Sequence, residues 1–344
     1  MFRDPEELCE IQDVGLRVRD SPHCQRYGCL RDLLDHKDDR VLNALQNPLP
    51  SRSINLPPAW SAFATHEHAF TQLAGIDGVP RTMLPWGDVC WAVICTAGAN
   101  TLLHVDLYGT YFEVTVGEKI FFLGRRRDDF EEGDHKGDWA SRHAFSSWDP
   151  TDSNTNTMRF EVFILRPGQV LYMQPGVPHY VISTENSIAV GGHDHCASSM
   201  QRSVYTTYAN VMAARSTTNA DHVSSRYMFL RIFRFQLGAI LKGKSGDIHV
   251  FDLAMQEGIL DFLALHHLVI LYQALHPASY YQGEANALGA RNPETILTHG
   301  EFSEFITCRN HAVQFYESVD EMFRVICGGK QPEGPAPALY VPPG

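Results

Sequence analysis

The segment Thr101-Leu-Leu-His104-Val-Asp106 carries the residue types of a metal site. Side chains alternate faces along a strand, so His104 and Asp106, two residues apart, point to the same side. An imidazole and a carboxylate so placed fill two adjacent corners of a metal octahedron. A third ligand from a distant strand would complete a two-histidine, one-carboxylate triad, which leaves positions open and marks non-haem Fe(II) oxygenases. His179 is the candidate third ligand. It lies in LRPGQVLYMQPGVPHYVIST, where a second Pro-Gly turn precedes it and Pro178 fixes the backbone just before it. Lys119 lies 119 − 104 = 15 residues past His104 on the next strand, and Thr101 three residues before it. A lysine inside an apolar strand pair is expected to be buried and to require an anion. A cation and a hydroxyl beside an open Fe(II) suit the far end of a dicarboxylate co-substrate.

Histidine is abundant, 17 of 344 residues, so other clusters compete for a metal role. His66-Glu67-His68 lacks the H-E-x-x-H spacing that sets two imidazoles on one helix face, and is expected as an exposed helix turn. His193-Asp194-His195 offers a second metal candidate, with a loop leaving the barrel as the plainer expectation. His266-His267 lie in the most apolar helical stretch and are expected in the core or an interface. Arg125, Arg126 and Arg127 stand beside Asp128 and Asp129, the pattern of a solvated loop. The eight cysteines contain no C-x-x-C pair, which argues against a zinc ribbon, a zinc finger or a thioredoxin-like redox site.

The composition places these residues in a folded chain. Hydrophobic residues make up 44% and charged residues 20%, enough apolar material for a sizeable core and for roughly two domains by length. Lys plus Arg is 28 and Asp plus Glu is 40, a net charge of −12, which argues against broad phosphate-backbone binding and suits a basic partner. The N-terminal MFRDPEELCEIQD is charged at once, without the apolar region of a signal peptide. Ile259 to Leu275 is broken by Asp261 and the two histidines and is too short to span a bilayer. The expected compartment is intracellular and reducing.

The elements that must hold the candidate site follow from periodicity. Arg26 to Leu45 reads as a helix, with Leu30, Leu33, Leu34, Val41, Leu42 and Leu45 at three- and four-residue spacings. The stretch NPLPSRSINLPP ends it, and a short second helix is expected over Trp60 to Leu73. From Val89 eight apolar runs separated by Gly and Pro read as strands of an antiparallel barrel or sandwich: VCWAVICTA, TLLHVDL, TYFEVTV, KIFFLG, RFEVFIL, QVLYM, HYVIST and SIAVGG. Gly124 to Met158 reads as a surface excursion. Helices are expected over Tyr227 to Leu241 and Val250 to Leu275, broken at Gly243 to Gly246, and the tail from Gly328, with PEGPAPALYVPPG, reads as disordered.

Residues 91–192 resemble the JmjC (Jumonji C) domain of Fe(II)- and 2-oxoglutarate-dependent dioxygenases. The resemblance is carried, in order, by T-x-x-H-x-D, the G-x-K strand with Gly117 and Lys119, the Pro-Gly run ending at His179, and the closing Gly191-Gly192. The stretches HVDLYGT and VGG look most like the histone-lysine demethylase branch. The fold this resemblance implies is a mainly β core, a double-stranded β-helix or cupin-like jelly roll, with flanking N-terminal and C-terminal α-helices. The implied divisions are a helical or extended segment over 1–85, the β-helix over 86–200 with the insertion 124–158, a helical region over 201–278, and an extension over 279–344. The resemblance implies His104, Asp106 and His179 as Fe(II) ligands, and Lys119 with Thr101 as partners of the distal carboxylate of 2-oxoglutarate. The strand between Asp106 and Lys119 is two residues shorter than in the demethylase branch and has the spacing of related protein hydroxylases. Tyr111 and Phe112 are therefore both candidates for the aromatic co-substrate contact. His193 stands where that branch carries an asparagine facing the metal.

The activity so implied uses O2 and 2-oxoglutarate, with demethylation of N-methyl-lysine in a histone-like protein as the leading reaction. The alternatives are hydroxylation of protein side chains or small substrates, and a catalytically inactive scaffold, which His193 keeps in view. The implied partner is a protein substrate such as a basic histone tail, with neither nucleic acid nor membrane bound directly. A homodimer through the C-terminal helices is a further expectation. Nuclear localisation is implied by the family, with the cytoplasm as the alternative.

Overall fold

The computed structural model describes residues 8–13, 25–34, 40–49, 64–73, 89–126, 148, 150, 158–212, 217–218 and 223–275. Its centre is built from the eight apolar runs, each of which forms a strand. These are β4 (Trp91–Cys95), β5 (Asn100–His104), β6 (Gly109–Val116), β7 (Lys119–Arg126), β8 (Met158–Leu165), β9 (Val170–Met173), β10 (His179–Ser183) and β11 (Ser187–Asp194). They divide between two antiparallel sheets, with β4-β11-β6-β9 side by side in one and β5-β10-β7-β8 in the other. The chain crosses between the sheets after nearly every strand, and this alternation makes a double-stranded β-helix, the mainly β jelly-roll core expected from the sequence. Between the sheets lie Trp91, Val93, Phe112, Val114, Phe121, Val181 and Ala189, all buried.

Three more strands extend the first sheet: β1 (Leu8–Asp13), β2 (Gln25–Cys29) and β3 (Leu42–Pro48), with β3 hydrogen-bonded to β4. The helix expected over Arg26 to Leu45 is therefore corrected. It is β2, a short helix α1 (Leu30–Leu34), and β3. Both faces of β3 are covered. Leu42 and Ala44 pack with Ile11, Leu30 and Leu33 on the outside, while Asn43 and Leu45 turn toward the barrel interior. A strand apolar on both faces loses its alternation and is easily read as helix.

The expected short helix after the prolines is α2 (Thr65–Leu73), and the C-terminal helices are α3 (Met200–Met212), α4 (Val223–Ile240) and α5 (Gln256–Leu275). They form a second core around Met228, Phe229, Ile232, Phe233, Phe262 and Leu265, which continues through Tyr108, Val89 and Cys90 to the first sheet. His266 belongs to this core, whereas His267 is exposed. Among the described residues no helix is long and apolar enough to cross a membrane.

The insertion reads differently at one point. Arg125 and Arg126 are still in β7, and Trp148, far along the excursion, is buried and stacked on Phe160 with ring centres 4.1 Å apart. Residues 127–147, 149 and 151–157 of the excursion and the tail from Gly328 lie outside the described residues.

Candidate metal centre

His104 ends β5 and His179 begins β10, and the antiparallel register pairs these two residues directly. That pairing brings together imidazoles that are 179 − 104 = 75 residues apart in sequence, with ring centres 4.0 Å apart. Asp106 follows two residues on. Its Oδ1 lies 3.9 Å from His104 Nε2 and its Oδ2 3.7 Å from His179 Nε2. One ligand atom from each of the three residues lies within 4.8 Å of the others, and no other such group occurs among the described residues.

Each group is held by its neighbours. His104 Nδ1 donates to Leu102 O at 2.7 Å, and His179 Nδ1 to Val177 O at 2.9 Å. These bonds fix the tautomer with the proton on Nδ1 and leave the Nε2 lone pair for a ligand role. Thr110 Oγ1 donates to Asp106 Oδ2 at 2.8 Å and sits 3.0 Å from His193 Nδ1. With its one proton given to Asp106, the Thr110 hydroxyl accepts from the His193 Nδ1–H. Burial works to raise the Asp106 carboxyl, but His179, His193, His104 and the Thr110 hydroxyl together outweigh it and hold the group well below the ordinary carboxylate range.

The three groups open onto a cavity whose wall also includes Thr101, Phe112, Phe121, Trp91, Leu45 and His193. Of the two aromatic candidates, Phe112 is on this wall. Tyr111 faces the other way, its hydroxyl 3.5 Å from Cys90 Sγ, because adjacent strand residues take opposite faces. Gly191 and Gly192 are required by close approach. A β-carbon at Gly191 would fall 2.5 Å from the Trp91 ring, and one at Gly192 would collide with Val89 O and the Tyr111 hydroxyl.

Lys119 begins β7, the second strand after that of His104 rather than the next, and is 2% exposed. Its Nζ donates to Ser183 Oγ at 2.7 Å and to Cys95 Sγ at 3.1 Å. Cys95 in turn donates to Asn43 Oδ1 at 3.0 Å, and Asn43 Nδ2 donates to Thr101 Oγ1 at 3.1 Å. This chain links the ammonium to the cavity wall and leaves the Thr101 hydroxyl its own proton to offer. Among the described residues no carboxylate pairs with Lys119, so a buried cation has only neutral partners.

These features fit a metal and an anionic ligand. Two Nε2 lone pairs and a carboxylate converge from one side, the donor set of an open non-haem Fe(II) site. The buried indole N–H of Trp91, on the same cavity wall, has no acceptor among the described residues, and Lys119 has no anion. The residues that sequence reasoning missed are Thr110, Asn43, Cys95 and Ser183. Only Thr110 left a local trace, in HVDLYGT; the others join the site through pairings between distant strands.

The two remaining histidine clusters take different places from those expected. His66 is the second residue of α2 but is buried, and its Nδ1 accepts from His195 N–H at 3.3 Å. Burial, with His249 nearby, pushes its imidazole down to about 3. His193 and Asp194 are the last residues of β11 rather than a loop, and His195 beyond them is buried against Tyr108.

No protein-family model and no curated protein matches the chain. Among solved structures it shows likeness to YcfD, a ribosomal oxygenase from Escherichia coli, in complex with cobalt and succinic acid. Identity there is 13% over 64% of this chain and 48% of that one, with a TM-score of 0.28. A second structure of E. coli YcfD gives 16% identity, 64% and 53% coverage, and a TM-score of 0.29. A variant oxalate decarboxylase from Bacillus subtilis gives 15%, 32%, 22% and 0.20. The chain spans about half the length of the YcfD chains. At these values the fold rests on the strand order and pairing themselves.

Proposed function

We propose that this protein is an Fe(II)- and 2-oxoglutarate-dependent oxygenase of the JmjC type. The observation that carries the reading is the convergence of His104, Asp106 and His179 within 4.8 Å at the cavity that Thr101 lines. The three side chains would hold Fe(II). Lys119 and Thr101 would bind the distal carboxylate of 2-oxoglutarate, giving the buried ammonium an anionic partner. When bound, the metal and co-substrate supply the oxidising power to place one oxygen atom of O2 in a C–H bond, with succinate and CO2 as co-products.

The chain's own residues do the positioning. The Leu102 and Val177 carbonyls aim the two imidazoles, Thr110 aims the carboxylate, and Trp91, Phe112 and Phe121 give the cavity an apolar aromatic lining. His193 is engaged with Thr110, which supports a positioning role at a competent centre over an inactive scaffold.

For the substrate, the HVDLYGT and VGG stretches favour the N-methyl group of a lysine in a basic protein segment, and a net charge of −12 favours such a partner. Hydroxylation of an unmethylated side chain is the second reading, favoured by the short spacing between Asp106 and Lys119. The test supplies Fe(II), O2, 2-oxoglutarate and panels of methylated and unmethylated lysine peptides. Succinate formation that is lost in Asp106→Ala is expected, with formaldehyde released if demethylation is correct and an alcohol product if hydroxylation is. An Asp106→Ala protein as active as the parent would overturn the assignment.

A further inference from the structure

Lys119 and Cys95 stand in a relation the proposed chemistry does not use. The ammonium and the sulfur are 3.1 Å apart with nothing between them, at 2% and 4% exposure. They come from different strands, β7 and β4, and meet at the inner end of the hydrogen-bond chain that starts on the cavity wall at Thr101. Cys95 has no disulfide partner. Among the described residues the buried cation has no carboxylate beside it, and the ionisable group within hydrogen-bond reach is this thiol. A sulfenic acid formed on a cysteine condenses with a nitrogen held against it to give a sulfenamide, and the Lys119 nitrogen is the one held against this sulfur.

We infer that Lys119 and Cys95 form an oxidant-sensitive pair that hydrogen peroxide converts into a covalent sulfenamide, an S–N bond between the two side chains. The Cys95 thiol releases its proton, its sulfur attacks one peroxide oxygen, the O–O bond breaks, and Cys95 becomes a sulfenic acid while the other oxygen leaves as hydroxide. Hydroxide takes a proton from the Lys119 ammonium. The freed amine attacks the sulfenic sulfur, and the S–O bond breaks with loss of water. Overall, one thiol, one ammonium and one peroxide give one S–N bond, two waters and one proton. Sulfur is oxidised by two electrons and peroxide is reduced by two. The product is neutral, so the link removes the buried cation that the distal carboxylate needs. Formation of the link does not rest on the co-substrate reading; only this consequence does.

The test is a peptide map of the full chain after peroxide, with chelator present to remove adventitious metal. No Lys or Arg lies between Arg81 and Lys119, so trypsin releases Cys95 and Lys119 in one peptide that ends at Lys119. Peroxide is expected to abolish cleavage after Lys119 and to give a peptide continuing to Arg125 that is lighter by two hydrogens. Dithiothreitol is expected to restore the cleavage, and a Cys95→Ser chain is expected to keep it throughout. Cleavage after Lys119 that persists in peroxide would overturn the inference, whether Cys95 stays alkylatable in denaturant, proceeds to sulfinic acid, or pairs with Cys90, which lies in the same peptide. A parallel sample holds glutarate, a dicarboxylate that peroxide does not consume. Slower linking in glutarate supports both the pair and the distal carboxylate site. A link that forms at an unchanged rate supports the pair and counts against the co-substrate reading.

Discussion

Thr110 orients two groups with one hydroxyl, giving its proton to Asp106 and accepting from His193. Thr110→Val keeps the shape and removes both bonds, so metal affinity is expected to fall by about 10- to 100-fold, as for other outer contacts of metal ligands. Competition with a chelator measures this, and unchanged affinity would contradict the role. Lys119→Ala removes the cation joined to the hydrogen-bond chain that reaches Thr101. It is expected to raise the 2-oxoglutarate concentration for half-saturation by about 10-fold or more, equivalent to at least about 1.4 kcal/mol, while Fe(II) binding is kept. What the sequence revealed at this scale was set by local parity: His104 and Asp106 share a face because they are two apart. The partners of Thr110 and Asn43 were hidden because those bonds span 83 and 58 residues, and no local pattern encodes a strand register.

At the scale of elements, β5 and β10 make the centre and β11 closes it. All eight barrel strands could be read in advance because each is a short run rich in apolar residues, most of them separated by Gly or Pro. The extension strand β3 could not, since Leu42 and Ala44 face one core while Asn43 and Leu45 face another. That strand matters to the site, because Asn43 orients the Thr101 hydroxyl. The closing glycines put the barrel under a strict steric demand. Gly192→Ala drives a methyl group into Val89 O on one side and the Tyr111 ring on the other. Its expected cost is about 3 kcal/mol or more, read as a lowered denaturation midpoint. A midpoint equal to the parent's would show that β11 and β6 pack less closely than described.

For the whole molecule, the barrel and the helical core meet at a buried histidine cluster, and this contact carries a pH signature. His66 titrates at about 3 in the fold, against an ordinary value of about 6.5 when unfolded. Between these values the unfolded chain binds the extra proton, so stability rises with pH. Its contribution is complete above about pH 6.5 and is lost progressively as the pH falls toward about 3. Denaturant midpoints measured across this window are expected to fall on acidification, and His66→Gln is expected to flatten the dependence. A parent slope unchanged by that substitution would place the titrating group elsewhere.

The proposed oxygenase activity requires His104, Asp106 and His179 to form a working Fe(II) and 2-oxoglutarate site. The most direct measurement is an anaerobic titration of the purified protein with Fe(II) and then 2-oxoglutarate, which requires no knowledge of the substrate. A visible charge-transfer band is predicted in the parent protein, absent in His179→Ala and shifted to higher 2-oxoglutarate concentration in Lys119→Ala. A folded parent protein that binds Fe(II) and 2-oxoglutarate without the band, or a band undiminished in His179→Ala, would contradict it.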